Sequence, residues 1–69
     1  MQMIAIFVNG VTEHFKGPLA VSELLAHMAL AGKKIAVERN GEIVPRGAHG
    51  ATLLADGDRL EIVVAVGGG

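Results

Sequence analysis

The apolar residues of this chain fall into short runs, and Asn-Gly or Gly-Pro pairs lie between several of them. Residues 4–8 are apolar, and residues 11–16 follow after Asn9-Gly10. An Asn-Gly pair favours the type I′ turn of a β-hairpin, because both central residues of that turn need positive φ. Gly17-Pro18 then ends the second run. We therefore expect a hairpin of two strands at the start of the chain.

The stretch 21–31 has the periodicity of an amphipathic helix. Glu23 would lie in its first turn, where a negative charge suits the helix dipole. Gly32 lies where a left-handed C-cap residue belongs. Ala20 occupies the N-cap position without a capping oxygen, and Ser22 is a possible substitute. The apolar residues recur at i, i+3, i+4 and i+7, which is the spacing of one helix face: Val21, Leu24, Leu25 and Met28.

A second hairpin is predicted after the helix. Residues 35–39 and 42–44 flank another Asn-Gly pair, Asn40-Gly41. Pro45 ends the second of these strands, since proline cannot donate a hydrogen bond to a β-ladder.

The remainder of the chain leads to one more strand. Residues 46–54 look irregular, with room for one helical turn that would carry Leu53 and Leu54 inward. Asp56-Gly57-Asp58 is typical of a turn, and residues 59–66 form an apolar final strand. The predicted order is β-β-α-β-β-β.

This order indicates an α+β fold, a mixed β-sheet with one helix packed across one face. The first and last strands are the most apolar, so we expect them to be adjacent and parallel at the centre of the sheet. Side chains alternate between the two faces of a strand. The residues expected to face the helix are Ile4, Ile6, Val8, Leu60 and Ile62.

The other face of the sheet carries residues that are unusually apolar for a solvent-exposed surface. Alternation directs Ala5, Phe7, Val63 and Ala65 away from the helix. An exposed apolar patch of this kind marks a candidate surface for a protein partner. We assign partner binding to Phe7, Val63 and Ala65.

The amino-acid composition argues against several classes of function. The chain has 69 residues, no Cys, two Phe as its only aromatics and a net charge of −1. Without a basic stripe or an aromatic platform, nucleic-acid binding is not expected. No apolar run approaches the ~20 residues of a membrane span. The start of the chain lacks the basic region and cleavage site of a signal peptide, so we expect a cytoplasmic protein.

The sequence also lacks the usual signs of an enzyme or a metal protein. Its three His, at positions 14, 27 and 49, do not have a metal-binding spacing, so no metal site is expected. Asp56 and Asp58 are better explained by a turn than by a cation site. Neither a phosphate-binding glycine loop nor a nucleophile motif is present, so ATP would have to be bound by a partner and no catalytic residue is assigned.

The C-terminal sequence Gly67-Gly68-Gly69 is the most informative feature of the chain. Glycine has no side chain to pack, so such a segment adds little to the stability of a fold. It does offer a narrow backbone with a carboxylate at its end. Residues 66–69 could span roughly 13 Å when extended. We therefore treat residues 1–66 as the folded domain and 67–69 as a flexible tail.

Together these features resemble the ubiquitin-like β-grasp proteins, and within them the thiamine biosynthesis sulfur carrier (ThiS) family. The resemblance spans almost the whole chain. The middle segment and the last two glycines are its most specific parts, whereas Asp-Gly-Asp is common in β-grasp proteins. Ala20 departs from the usual hydroxyl N-cap. The matching segments are 8–10, 35–46, 56–63 and 68–69.

The resemblance implies a carrier that is not itself a catalyst and binds no cofactor of its own. An E1-like adenylating enzyme would use ATP-Mg to activate the carboxylate of Gly69. Sulfur from a donor system would then replace AMP to give a thiocarboxylate, which a thiazole synthase would consume. Gly67 and Gly68 would thread the tail into each active site.

Three alternatives stay open from the sequence. The chain could carry sulfur for another cofactor, such as molybdopterin. It could be a ubiquitin-like modifier joined to lysines through the same carboxylate. It could also be an inert interaction domain whose glycine tail is a cloning scar, since chain termini are usually disordered.

Overall fold

The structure, a computed structural model, describes residues 2–65. Seven strands, one α-helix and one 3₁₀ turn make up this part of the chain. In chain order they are β1 (Met3–Val8), β2 (Val11–Lys16), β3 (Leu19–Ala20), α1 (Val21–His27), β4 (Ile35–Arg39), β5 (Glu42–Ile43), the 3₁₀ turn (Arg46–Ala48), β6 (Leu53–Leu54) and β7 (Arg59–Val64).

The main sheet has five strands in the order β2-β1-β7-β4-β5. β1 and β7 lie side by side and run parallel, whereas the other neighbouring strands are antiparallel. This confirms the predicted mixed sheet with the first and last strands at its centre. With one helix across one face, the architecture is the α+β, ubiquitin-like β-grasp.

The core lies between the sheet and α1. Leu24 and Leu25 of the helix are buried, and Met28 packs against them at the edge. The predicted alternation is confirmed, because the sheet residues that meet the helix are all buried: Ile4, Ile6, Val8, Val37, Leu60 and Ile62. The apolar residues of the helix repeat every 3.6 residues and those of the strands every second residue, and the two sets pack together in a single apolar layer.

The helix is shorter than the predicted 21–31, because it ends at His27. Ala29 has a φ of 59° and takes the left-handed position that the sequence suggested for Gly32. The Leu30 N–H donates to the Leu25 carbonyl at 2.8 Å, and the Ala29 N–H donates to the Ala26 carbonyl at 3.1 Å. These two bonds form a Schellman cap, in which the buried edge of Leu30 packs against the core.

Ala29→Gly should stabilise the protein by about 0.5–1 kcal/mol, because glycine adopts this backbone conformation without the steric cost of Cβ. Denaturant unfolding measures the change. Ala26→Gly is the matched control, because it replaces an exposed alanine inside the helix and should destabilise by a similar amount. If both variants lose stability, the cap assignment is wrong.

The sequence did not predict a second, two-stranded sheet, formed by β3 and β6. Leu54 is buried there, but Leu53 is exposed, so the expectation that both point inward was wrong. The physical reason is that these residues form a strand, in which neighbours face opposite sides. The helical turn expected in this region lies earlier, at Arg46–Ala48.

The same region explains how Ala20 serves as the N-cap without a side-chain oxygen. The Val21 and Ser22 N–H groups donate to the carbonyls of Thr52 and His49, each at 3.0 Å. The Glu23 carboxylate accepts from the Ala20 N–H at 2.8 Å. Backbone carbonyls from a distant loop thus accept hydrogen bonds from N–H groups of the first helical turn, which a capping side chain would otherwise bind.

Candidate functional site

The outer face of the sheet, opposite α1, exposes the residues assigned to partner binding. Val63 is 61% exposed, Phe7 is 37% exposed and Ala65 is also exposed. Val63 and Ala65 lie together at the end of β7. The glycines 67–69 that form the remainder of the predicted site lie outside the described residues.

A shallow groove of about 390 Å³ lies at the end of β7, and we call it the exit groove. Ala36 of β4 pairs with Val63, and the Ala65 N–H donates to the Lys34 carbonyl at 2.9 Å, so β4 holds this end of β7 in place. The walls of the exit groove combine apolar side chains with two cationic side chains: Lys34, Ile35, Ala36, Arg46, Val63 and Ala65.

Phe7 does not belong to the exit groove. In the parallel register, Phe7 lies opposite Arg59, and the Arg59 guanidinium lies 5.8 Å from the centre of the Phe7 ring. Val63 is four residues further along β7, about 13 Å away at the usual strand rise. The outer face is therefore divided, with Phe7 and Arg59 at one end and the exit groove at the other. The alternation of residues along a strand predicts which face of the sheet a side chain lies on. It does not predict which side chains of the adjoining strand lie beside it.

A buried carboxylate at the start of β7 fixes where the strand enters the sheet. Asp58 accepts hydrogen bonds from Arg39 Nε at 2.8 Å, from Asn40 Nδ2 at 3.0 Å and from the Ala55 N–H at 2.8 Å. Burial, the largest influence, raises the pKa of the Asp58 carboxyl. The three hydrogen bonds and the Arg39 charge outweigh burial and hold the pKa below its ordinary 3.8. The sequence indicated only a turn here.

Asp58→Asn should destabilise the protein by roughly 1–3 kcal/mol at neutral pH, because it removes a charged acceptor from these bonds. Since the folded pKa is depressed, the contribution of Asp58 is fully present above the unfolded value and is lost as pH falls through the folded one. The stability gap between wild type and variant should therefore stay constant from about pH 7 to about pH 5 and narrow as the pH falls from about 5 towards 3. Urea unfolding over this range measures it, and a constant gap would contradict the assignment.

The two Asn-Gly turns also hold β7, in addition to closing hairpins. Asn9 Oδ1 accepts from the Ile62 N–H at 2.8 Å, and its Nδ2 donates to the Ile62 carbonyl at 3.1 Å. Asn40 Oδ1 accepts from the Arg59 N–H at 3.0 Å. Both asparagines have the positive φ that the sequence predicted. Their amides fix the register of β7 and so the position of the exit groove, a role that a turn motif alone does not reveal.

Histidines and carboxylates do not gather into a metal site within residues 2–65, where no group of three or more possible ligands is found. The buried His49 ring lies with Nε2 3.2 Å from the Val44 carbonyl oxygen. His27 packs against Phe15 with ring centres 5.2 Å apart. Both contacts are structural.

Among the described residues, no helix is both long enough and apolar enough to cross a bilayer.

Comparison with known proteins assigns the chain to a family. The model of the ThiS family matches residues 3–69. The chain belongs to the ThiS family. The crystal structure of a ThiS thiamine biosynthesis protein from Geobacter metallireducens superposes with a TM-score of 0.79 and 38% identity. That comparison covers 96% of this chain and 100% of the Geobacter chain.

Curated relatives include two larger proteins, both described as thiazole synthases. The relative from Paramagnetospirillum magneticum is 41% identical over 64 residues, and the one from Magnetococcus marinus is 38% identical over 64 residues. Each match covers 93% of this chain, but the chain spans only 20% of the length of either relative. In both relatives a region similar to this ThiS chain is thus part of a longer polypeptide.

Proposed function

We propose that this protein carries sulfur for thiamine biosynthesis as a thiocarboxylate on Gly69. The observation that carries the proposal is the structural similarity to the Geobacter thiamine biosynthesis protein along the full length of that chain. The family match, which extends over the terminal glycines, supports the use of the tail. The protein acts as a co-substrate, and its partners supply the catalysis.

The chemistry begins with a carboxylate that cannot react as an acyl donor, because its leaving group would be oxide or hydroxide. An E1-like enzyme would bind ATP-Mg, and a Gly69 carboxylate oxygen would attack the α-phosphorus with release of pyrophosphate. The resulting acyl-adenylate has AMP as a good leaving group. A sulfur nucleophile from the donor system would then form the C–S bond as the C–O bond to AMP breaks.

The glycines before the reactive carboxylate suit this chemistry. Gly67 and Gly68 present backbone without side chains, so the segment fits a passage that a larger residue would block. The exit groove contains Val63 and Ala65, which directly precede the tail in the sequence, and it would contact the enzyme that receives the tail. Phe7, at the other end of the face, would contact the same enzyme only if the interface covers the whole sheet.

A thiazole synthase is the proposed consumer of the sulfur. The two relatives described as thiazole synthases support this partner, because they contain a region similar to this chain. Joining a carrier and its acceptor in one polypeptide raises their effective concentration without new contacts.

Intact mass spectrometry tests the proposal. With the activating enzyme, ATP-Mg and a sulfur donor, the protein should gain about 16 Da, since sulfur replaces one oxygen. The gain should disappear without ATP and should reverse when thiazole synthase and its small substrates are added. A product attached to lysines of other proteins would instead identify a modifier. An unchanged mass under all conditions would overturn the carrier function.

A further inference from the structure

Two glutamates lie directly opposite each other on the outer face of the sheet. Glu38 of β4 pairs with Glu61 of β7, and the registers place Ile43 of β5 on the other side of Glu38. Like charges in this position destabilise a sheet. Among the residues that the structure describes, neither glutamate forms an ion pair. Arg39 forms the one ion pair found within residues 2–65, with Asp58, and Arg59 lies over the Phe7 ring.

Exposed apolar side chains flank this acidic pair. Ile43 is 64% exposed on one side, and Val63, 61% exposed, begins the exit groove on the other. The face is therefore an exposed sheet surface that joins apolar residues to two carboxylates without an ion-pair partner in residues 2–65. A surface of this composition fits a partner that covers the apolar residues and supplies a positive charge.

The acidic pair lies close enough to the C-terminal tail to be covered by an enzyme that binds the tail. Glu61 lies four residues before Ala65, about 13 Å along the strand. Four residues, the number from 66 to 69, could span at most a similar distance, roughly 13 Å. An enzyme that holds the Gly69 carboxylate in its active site must therefore come close to the exit groove and the face beside it.

We propose that this face docks on thiazole synthase, and that a lysine or arginine of the synthase lies between Glu38 and Glu61. The inference rests on the proposed function. The synthase is chosen because two relatives that contain this domain are described as thiazole synthases. A guanidinium can bond both carboxylates at once, and exclusion of water strengthens such bonds. The acidic pair thus lowers the stability of the free carrier and orients the complex.

Glu61→Gln separates this proposal from a purely structural role. We expect its Kd for thiazole synthase, measured by calorimetry, to rise about tenfold, and the salt dependence of binding to weaken. The melting temperature of the free variant should rise by about 1–5 °C, because the repulsion is removed. Glu61→Lys should bind still more weakly and melt higher, since it forms an opposite-charge pair with Glu38.

Glu13→Gln is the matched control. Glu13 is exposed on β2 and pairs with Ile6, so it lies on the helix side of the sheet. This variant should bind thiazole synthase like wild type, with an unchanged melting temperature.

Each alternative outcome has a definite meaning. Wild-type affinity of both Glu61 variants for the synthase would overturn the docking proposal, even if the protein still gains sulfur in the mass assay. Weakened binding to the activating enzyme alone would also overturn it, because the face would then serve that enzyme. Failure of wild type both to bind the synthase and to form a thiocarboxylate would instead reject the carrier function.

Discussion

Removal of Gly68 and Gly69 together should abolish thiocarboxylate formation, with a loss of more than about 100-fold in rate, since small misplacements of a reacting group have effects of this size. The remaining end, Val66-Gly67, would be too short and too bulky near its tip to reach an enclosed active site. Gly68→Val should have the same effect by steric exclusion while leaving the melting temperature nearly unchanged. The measurement is thiocarboxylate yield against time by intact mass with the activating enzyme, ATP-Mg and a sulfur donor.

Two further variants make this result specific to the tail. Deletion of Gly69 alone leaves a tail that still ends in two glycines, one residue shorter, so partial activity is expected. Gly50→Val is the matched substitution within the domain, because a Cβ at Gly50 meets nothing within 4 Å and the backbone φ there is not positive. Full activity of Gly68→Val or of the double deletion would show that the tail is not the site of the chemistry.

Leu24→Ala should destabilise the protein by roughly 2–5 kcal/mol, because it removes a fully buried side chain and leaves a cavity. A domain of this size has a total stability of only about 3–10 kcal/mol. The variant should therefore lose a large share of the stability of the domain. Urea or thermal unfolding followed by circular dichroism measures the loss.

Leu53→Ala is the control for this experiment. It makes the same chemical change at a side chain that is 57% exposed, so the change in stability should stay within about 0.5 kcal/mol. Equal effects of the two substitutions would contradict the placement of Leu24 in the core.

The difference between the two leucines illustrates what local pattern can and cannot reveal. Leu24 belongs to a helical stripe whose burial follows from its own sequence neighbours. Leu53 and Leu54 are adjacent and chemically alike, and only pairing with Leu19–Ala20 decides which of them enters the core. Two-residue strands are too short to give a periodic signal, so their existence depends on contacts made across the chain.

Short-range chemistry by itself determined much of this protein. Both Asn-Gly turns, the strands 11–16 and 35–39 and the strongly apolar character of the first and last strands follow from turn residues and apolar periodicity. These signals are readable because each depends on residues close together in the sequence. The terminal glycines and the resemblance to the ThiS family also came from the sequence, and the family match confirms that resemblance.

Tertiary structure decided the features that join distant segments. The helix ends early because Ala29, rather than Gly32, completes the cap against the core. Asp58 is a buried acceptor because Arg39 and Asn40 come to it from another strand. The separation of Phe7 from Val63, and the meeting of Glu38 with Glu61, depend on strand register. Register is set by pairing between strands far apart in the sequence, so one strand's alternation gives the face of a residue but not its neighbours.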